Sequence, residues 1–185
     1  MKKRCNWAKN EPNITYHDNE WCVPQHNDQR LFEFLILECA QAGLSWSTIL
    51  NRRDGYRFAF SNFDVVVVSQ YTQNHVKKLL QNKDIIRNKL KINSAVNNAK
   101  QFIKIQKEFG SFDEYLWGFV NHKSIKNKFK KHSDLPTYTT ISEKLSQDLK
   151  KRKFNFVGPT ICYALMQAVG MVNDHTIDCF RYSQL

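Results

Sequence analysis

Wound as a helix, the segment 28–42, DQRLFEFLILECAQA, carries apolar side chains on nearly every face, with Asp28 placed to cap its start. Such a helix belongs in an interior, with other elements packed around it. The 185-residue chain has the material to surround it: 42% of residues are hydrophobic, and thirteen Phe and four Trp rule out a disordered tail. Only six Gly and four Pro are present, too few for the many turns of a β-meander or a repeat protein. The expectation is an all-α protein, with 1–185 forming a single domain.

Other segments agree with this. Residues 72–82, 87–109 and 111–120 have helical spacing with Lys on the outer faces. The β-branched run 65–68 fits the edge of a helix better than a strand, because no partner strand is in sight. Gly43 reads as the end of the buried helix, and Ser45 as the cap of the next one. Segment 142–151, SEKLSQDLKK, lines up Ser142, Leu145 and Leu149 on one face. A turn follows to Gly158, Pro159 suits a first helical position, and Gly170 ends the helix that Pro159 opens. The polar, Lys-rich stretch 122–136 reads as a linker.

The net charge of +11 suits a polyanionic partner, nucleic acid being the commonest, though Lys-rich codon usage would produce the same excess. The basic start has no apolar stretch behind it, and no run approaches the roughly 20 apolar residues of a membrane span. A cytoplasmic protein is expected. Five widely spread cysteines suit reduced thiols or a metal rather than a disulfide framework. In the turn ending Val157-Gly158, backbone N–H groups beside a helix N-terminus could hold a DNA phosphate. Lys151 and Arg152 lie just before it and would add charge. An ordinary αα-hairpin with a solvated basic face would carry the same pattern.

Several blocks decide between these readings. They are Arg4-Cys5-Asn6-Trp7, Tyr16-His17-Asp18-Asn19-Glu20-Trp21, Leu37-Glu38 with Gln41-Ala42-Gly43-Leu44-Ser45-Trp46, Ile85-Ile86-Arg87, Phe119-Val120-Asn121-His122, Phe156-Val157-Gly158 and Val172-Asn173-Asp174-His175. On these the chain resembles the helix–hairpin–helix DNA glycosylase superfamily and, more closely, the bacterial 3-methyladenine DNA glycosylase I family. The resemblance covers almost the whole chain and implies a helix–hairpin–helix fold of two helical lobes, with the hairpin at about 142–170. It also implies excision of 3-methyladenine from double-stranded DNA, with the free base as product and a monomeric enzyme. Asn173 stands where many superfamily members place a catalytic Asp. Thr160 stands where bifunctional members place a Lys nucleophile, so lyase chemistry is not expected.

Cys5, His17, His175 and Cys179 could form a closed Cys2His2 set, with His175 and Cys179 at i and i+4 on a helix. Spacing alone leaves them equally well as four unrelated residues. The resemblance implies a structural zinc, tying the N-terminal segment to the C-terminal one. His26, His75, His122 and His132 lack partners at ligand spacing and read as structural or surface residues.

Glu38 sits on an apolar helix face, with Leu31, Phe34, Leu35 and Ala42 around it. A buried carboxylate needs a partner or a task. Arg52 or Arg87 could be that partner. The resemblance points instead to an acidic pocket walled by Tyr16, Trp21 and Trp46, with Glu38 recognising a cationic methylated base first and, as the catalytic residue, activating water or stabilising the developing cation. Gln41, Gly43 and Leu44 are placed to fill the gap that a flipped base leaves, although Gly43 as a cap and Leu44 as core would explain the same residues. The alternative is a non-catalytic zinc-containing protein that binds DNA or senses alkylated bases.

Overall fold

The computed structural model describes residues 2–185. In chain order these form α1 (Asn13–Asn19), α2 (Asp28–Gln41), α3 (Trp46–Leu50), α4 (Arg53–Ala59), α5 (Val65–Ser69), α6 (Gln73–Leu79), α7 (Lys89–Phe109), α8 (Phe112–Gly118), β1 (Ile125–Lys126), α9 (Thr140–Lys151), α10 (Pro159–Ala168) and β2 (Val172–Asn173). Helix α2 is the central rod: every residue from Leu31 to Ala40 is buried, and α3, α7, α8 and α10 pack around it. The buried apolar side chains form one connected cluster that draws on both halves of the chain.

Local chemistry explains most boundaries. Ser45 caps α3 by accepting from Thr48 N, and the β-branched run becomes α5, opened by the Asp64 carboxylate accepting from Val66 N and Val67 N. Pro159 opens α10, whose end is followed by Gly170 at φ +76°. Gly170 is required there twice over. Its backbone is left-handed, and a Cβ would lie 2.4 Å from Pro24 N, so the chain after α10 can lie flat on the segment before α2.

Two expectations change. The α2 cap is Asn27, whose side chain accepts from Arg30 N at 3.1 Å. Asp28 turns away and caps α8 instead, accepting from Phe112 N and Asp113 N at 2.9 Å each, because those exposed helix-start donors lie within its reach. The stretch 122–136 is no free linker either. Its β1 pairs in parallel with β2, Ile125 opposite Val172 and Lys126 opposite Asn173, which binds it to the C-terminal segment. Two short strands therefore join an otherwise helical protein.

The turn between α9 and α10 is bound to α7 and α2. Asn98, fully buried on α7, donates to Asn155 O at 3.0 Å and accepts from Asn155 N at 2.9 Å, and the Cys39 thiol donates to Phe156 O at 3.4 Å. These bonds hold a turn in which Lys153 and Phe156 have positive φ. Asn98→Ala strands the Asn155 amide and should cost about 2 kcal/mol in denaturant unfolding. An unchanged midpoint would mean that the turn holds itself.

Candidate active site

Five segments converge on a cavity of about 370 Å³, within the range of small-ligand pockets. Helix α1 and the residues flanking it supply Trp7, Asn13, Tyr16 and Trp21; α2 supplies Glu38 and Gln41; α3 supplies Trp46 and Ser47; and α10 supplies Ala164 and Gln167. The stretch assigned to a linker supplies His132 and Leu135. Tyr16 and Trp46 meet at 5.2 Å between ring centroids, and Trp7 stands edge-on to Trp21 at 5.0 Å. Tyr16, Trp21, Glu38 and Trp46 are thus brought to one cavity, as the sequence suggested. His132, expected to be a structural or surface residue, lines the cavity instead, and Trp7, Asn13, Ser47, Leu135, Ala164 and Gln167 were not singled out. Only Trp7, inside a recognised block, had a signal that could have found it.

Glu38 is 3% exposed, and its Oε2 has no hydrogen-bond partner. Arg52 donates to Lys83 O rather than to this acid, and Arg53 is taken up by Glu20 and Glu33. Burial alone pushes the Glu38 carboxyl up to about 8. Trp46 Nε1 is likewise buried and unpartnered. Burial also pushes the Tyr16 hydroxyl well up. The cavity therefore holds an unpaired acid and an unpaired donor between aromatic walls. Those groups suit a flat, electron-poor ligand with both N–H donors and ring acceptors.

Directly behind the Trp21 wall lie Cys5, His17 and Cys179, all buried, with ligand atoms within 4.8 Å of one another. His175 joins them through its ring, 4.8 Å from that of His17 and 4.7 Å from that of Trp21. Its Nε2 is buried without a hydrogen-bond partner, while Nδ1 is 3.0 Å from Asn173 Oδ1. His17 Nδ1 is held 2.8 Å from Asp18 Oδ1. Two thiols and an imidazole nitrogen so close together, with the His175 ring beside them, are side-chain types that can hold a metal ion. Burial holds His175 down to about 4, so its ring is neutral, the form that binds a metal. One expectation falls: residues 175–179 form a loop and turn rather than a helix, following β2, which ends at Asn173. Asn173 faces this cluster and the C-terminus, donating to Tyr182 O at 3.3 Å, and does not line the cavity that holds Glu38.

Between the cavity residues Gln41 and Trp46 in the chain, Gly43 has φ +77°, and Leu44 beside it is 38% exposed, an unusual setting for an apolar side chain that would be core. In the hairpin, Val157 is buried and Lys151 exposed. Arg152 is committed within the protein. It pairs with Glu108 at 2.7 and 3.0 Å and with Asp148 at 2.7 Å, over the rings of Phe109 and Tyr115. Gly158 has φ −65° and open space where a Cβ would stand, so no contact among the described residues requires a glycine there. The other histidines have local roles: His26 pairs with Asp113, His75 closes the cap of α6, and His122 lies 3.4 Å from Glu114.

The fold and its site define a helical protein built around one acidic, aromatic pocket for a flat cationic ligand, with a basic hairpin alongside. The family model of methyladenine glycosylases matches residues 7–182. DNA-3-methyladenine glycosylase 1 of Escherichia coli (strain K12) is 44% identical over 181 residues, 97% of each chain. A crystal structure of 3-methyladenine DNA glycosylase I superposes with a TM-score of 0.94 at 42% identity, covering 96% of this chain and 98% of that one. The 3-methyladenine DNA glycosylase I of Staphylococcus aureus, solved to show 3-methyladenine recognition, gives 0.93 at 34% identity over 96% and 95% of the two chains. The chain belongs to the methyladenine glycosylase family.

Proposed function

We propose that this protein is a DNA-3-methyladenine glycosylase, a base-excision repair hydrolase that removes 3-methyladenine from alkylated DNA. The observation that carries the reading is the unpaired Glu38 carboxyl, buried among Tyr16, Trp21 and Trp46. Methylation at N3 makes the base a cation weakly held to its sugar. Entry of that cation gives Glu38 the counter-charge it lacks and draws its proton off. A neutral adenine offers no such return for desolvating the acid. Aromatic faces add cation–π attraction of about 2 kcal/mol where water is excluded.

The reaction is hydrolysis. The bond between the base nitrogen and C1′ breaks, its electron pair neutralises the departing base, and water adds to C1′ with loss of a proton. The leaving group is activated by its own charge, so Glu38 acts first in recognition and then as a carboxylate facing the developing positive sugar. No lysine or other amine stands at Thr160, two residues after the hairpin glycine, so we assign no lyase step.

The base must leave the duplex to reach this cavity, at a cost of a few kcal/mol. Gln41 lines the cavity, and with Gly43 and the exposed Leu44, which follow it in the chain, it would occupy the gap, while the α9–α10 turn with Lys151 would take the backbone. We assign a monomer acting on double-stranded DNA in the cytoplasm. Among the described residues no helix is long and apolar enough to cross a membrane. Cys5, His17, His175 and Cys179 would hold one Zn2+; such a closed set supplies structural cross-linking and leaves no open position for water.

Incubation with methylated duplex DNA should release 3-methyladenine, identified by chromatography. Binding without release would turn the reading into that of a sensor of alkylated bases. The hairpin is tested at Gly158, where glycine answers to no neighbour among the described residues. Gly158→Ala should cost less than about 1 kcal/mol in stability, yet weaken duplex binding several-fold by keeping a phosphate off the α10 N-terminus. Lys151→Ala should weaken binding of any sequence and lower the salt slope by about one. Unchanged affinity in both variants would move the footprint elsewhere.

A further inference from the structure

On α10, Gln167 lies one turn beyond Ala164, and both line the cavity that holds Glu38. The Gln167 amide nitrogen donates to Asp174 Oδ2 at 2.7 Å. Asp174 is fully buried and also accepts from Tyr163 Oη at 2.5 Å and, through Oδ1, from Asn127 Nδ2 at 2.7 Å. A carboxylate oxygen only accepts, so it fixes which end of the amide faces it. The NH2 group turns to Asp174, and the carbonyl oxygen is left as the free polar atom of a pocket-lining side chain. Of the two other amides that line the cavity, Asn13 on α1 is spent on Ser47, donating to its Oγ at 3.0 Å, and Gln41 stands at the end of α2.

Resting on the base-excision reading, we infer that Gln167 is a specificity-determining residue whose carbonyl oxygen accepts one N–H of the exocyclic 6-amino group. Glu38 Oε2 accepts the other. Asp174 is the positioning residue, because it prevents the amide from turning over. Two acceptors facing position 6 favour an amino group there and repel the oxo group of a methylated guanine or hypoxanthine. Charge recognition by Glu38 alone would not make that distinction, since every N3-methylated purine in DNA carries the charge.

The test compares three free bases, 3-methyladenine, 3-methylpurine, which lacks the amino group, and 3-methylhypoxanthine, by quenching of tryptophan fluorescence. Gln167→Met keeps the volume and loses the acceptor. It should weaken 3-methyladenine binding about tenfold and change 3-methylpurine binding less than about twofold. Asp174→Asn, which keeps the size of the side chain and frees the amide to turn, should show the same selective loss and improve relative binding of 3-methylhypoxanthine. It also serves if Gln167→Met does not fold. Equal losses on 3-methyladenine and 3-methylpurine would make Gln167 a packing residue, and no loss on either would remove it from the contact; both overturn the inference. Wild-type protein that binds none of the bases would instead overturn the base-excision reading on which the inference rests.

Discussion

Glu38→Gln is expected to give a more stable protein that binds its base poorly. The carboxyl sits at about 8 in the folded protein against roughly 4.5 when free, so the folded state holds the Glu38 proton more tightly than the unfolded chain does. Its contribution is therefore fully present below about pH 4.5 and is lost as pH rises through about 8, at about 1.4 kcal/mol per pH unit. Glutamine stays neutral throughout. The two proteins should unfold alike near pH 4, and the variant should become the more stable by about 4–5 kcal/mol above pH 8. Affinity for 3-methyladenine should fall by roughly 1–3 kcal/mol, because glutamine offers one acceptor and no charge. Denaturant melts across pH and a binding titration read the two effects separately. A variant no more stable than wild type at pH 8 would show that the acid has a partner in solution. Undiminished binding would take Glu38 out of recognition. The cost of an unpaired acid is retained in this sequence where a cation can remove it.

The second large effect concerns the four residues behind Trp21. Protein purified without chelators should contain about one zinc per chain. Cys179→Ala should lose it and melt roughly 10 °C or more lower, since a closed site ties residues 5 and 179 across nearly the whole chain. The rings of His17 and His175 back the Trp21 wall, at 6.1 and 4.7 Å between centroids. Base affinity of the molecules that remain folded should therefore fall as well, by a smaller factor than the loss in stability. Metal-free wild-type protein, or a Cys179→Ala protein with an unchanged melting temperature, would leave the cluster as thiols and imidazoles packed without a staple.

Much of the fold is legible along the chain because helices are local. The apolar run of α2, the Ser45 cap, the proline that opens α10 and the positive-φ glycine that follows it are each read within a few residues. The acid of the pocket was legible for a related reason: a carboxylate on an all-apolar helix face has to be explained wherever the helix goes. Resemblance supplied what spacing could not, namely which aromatic residues stand near that acid and which histidines belong with Cys5 and Cys179.

Tertiary structure decided whatever depends on partners far apart in the chain. Asp28 serves α8 rather than its own helix because donors 84 and 85 residues away come within reach. Arg152 is drawn from the hairpin charge into a pairing with Glu108 on α7, and residues 175–179 form a loop and turn after β2. His132 reaches the cavity because β1 ties its segment to β2. Gln167 becomes a directed acceptor only through a carboxylate seven residues on, beyond the end of its helix. Amphipathic periodicity and caps act over one or two turns and leave their mark in the order of residues. Desolvation, ion pairing and the choice of an amide's orientation depend on the finished packing, which no local pattern contains.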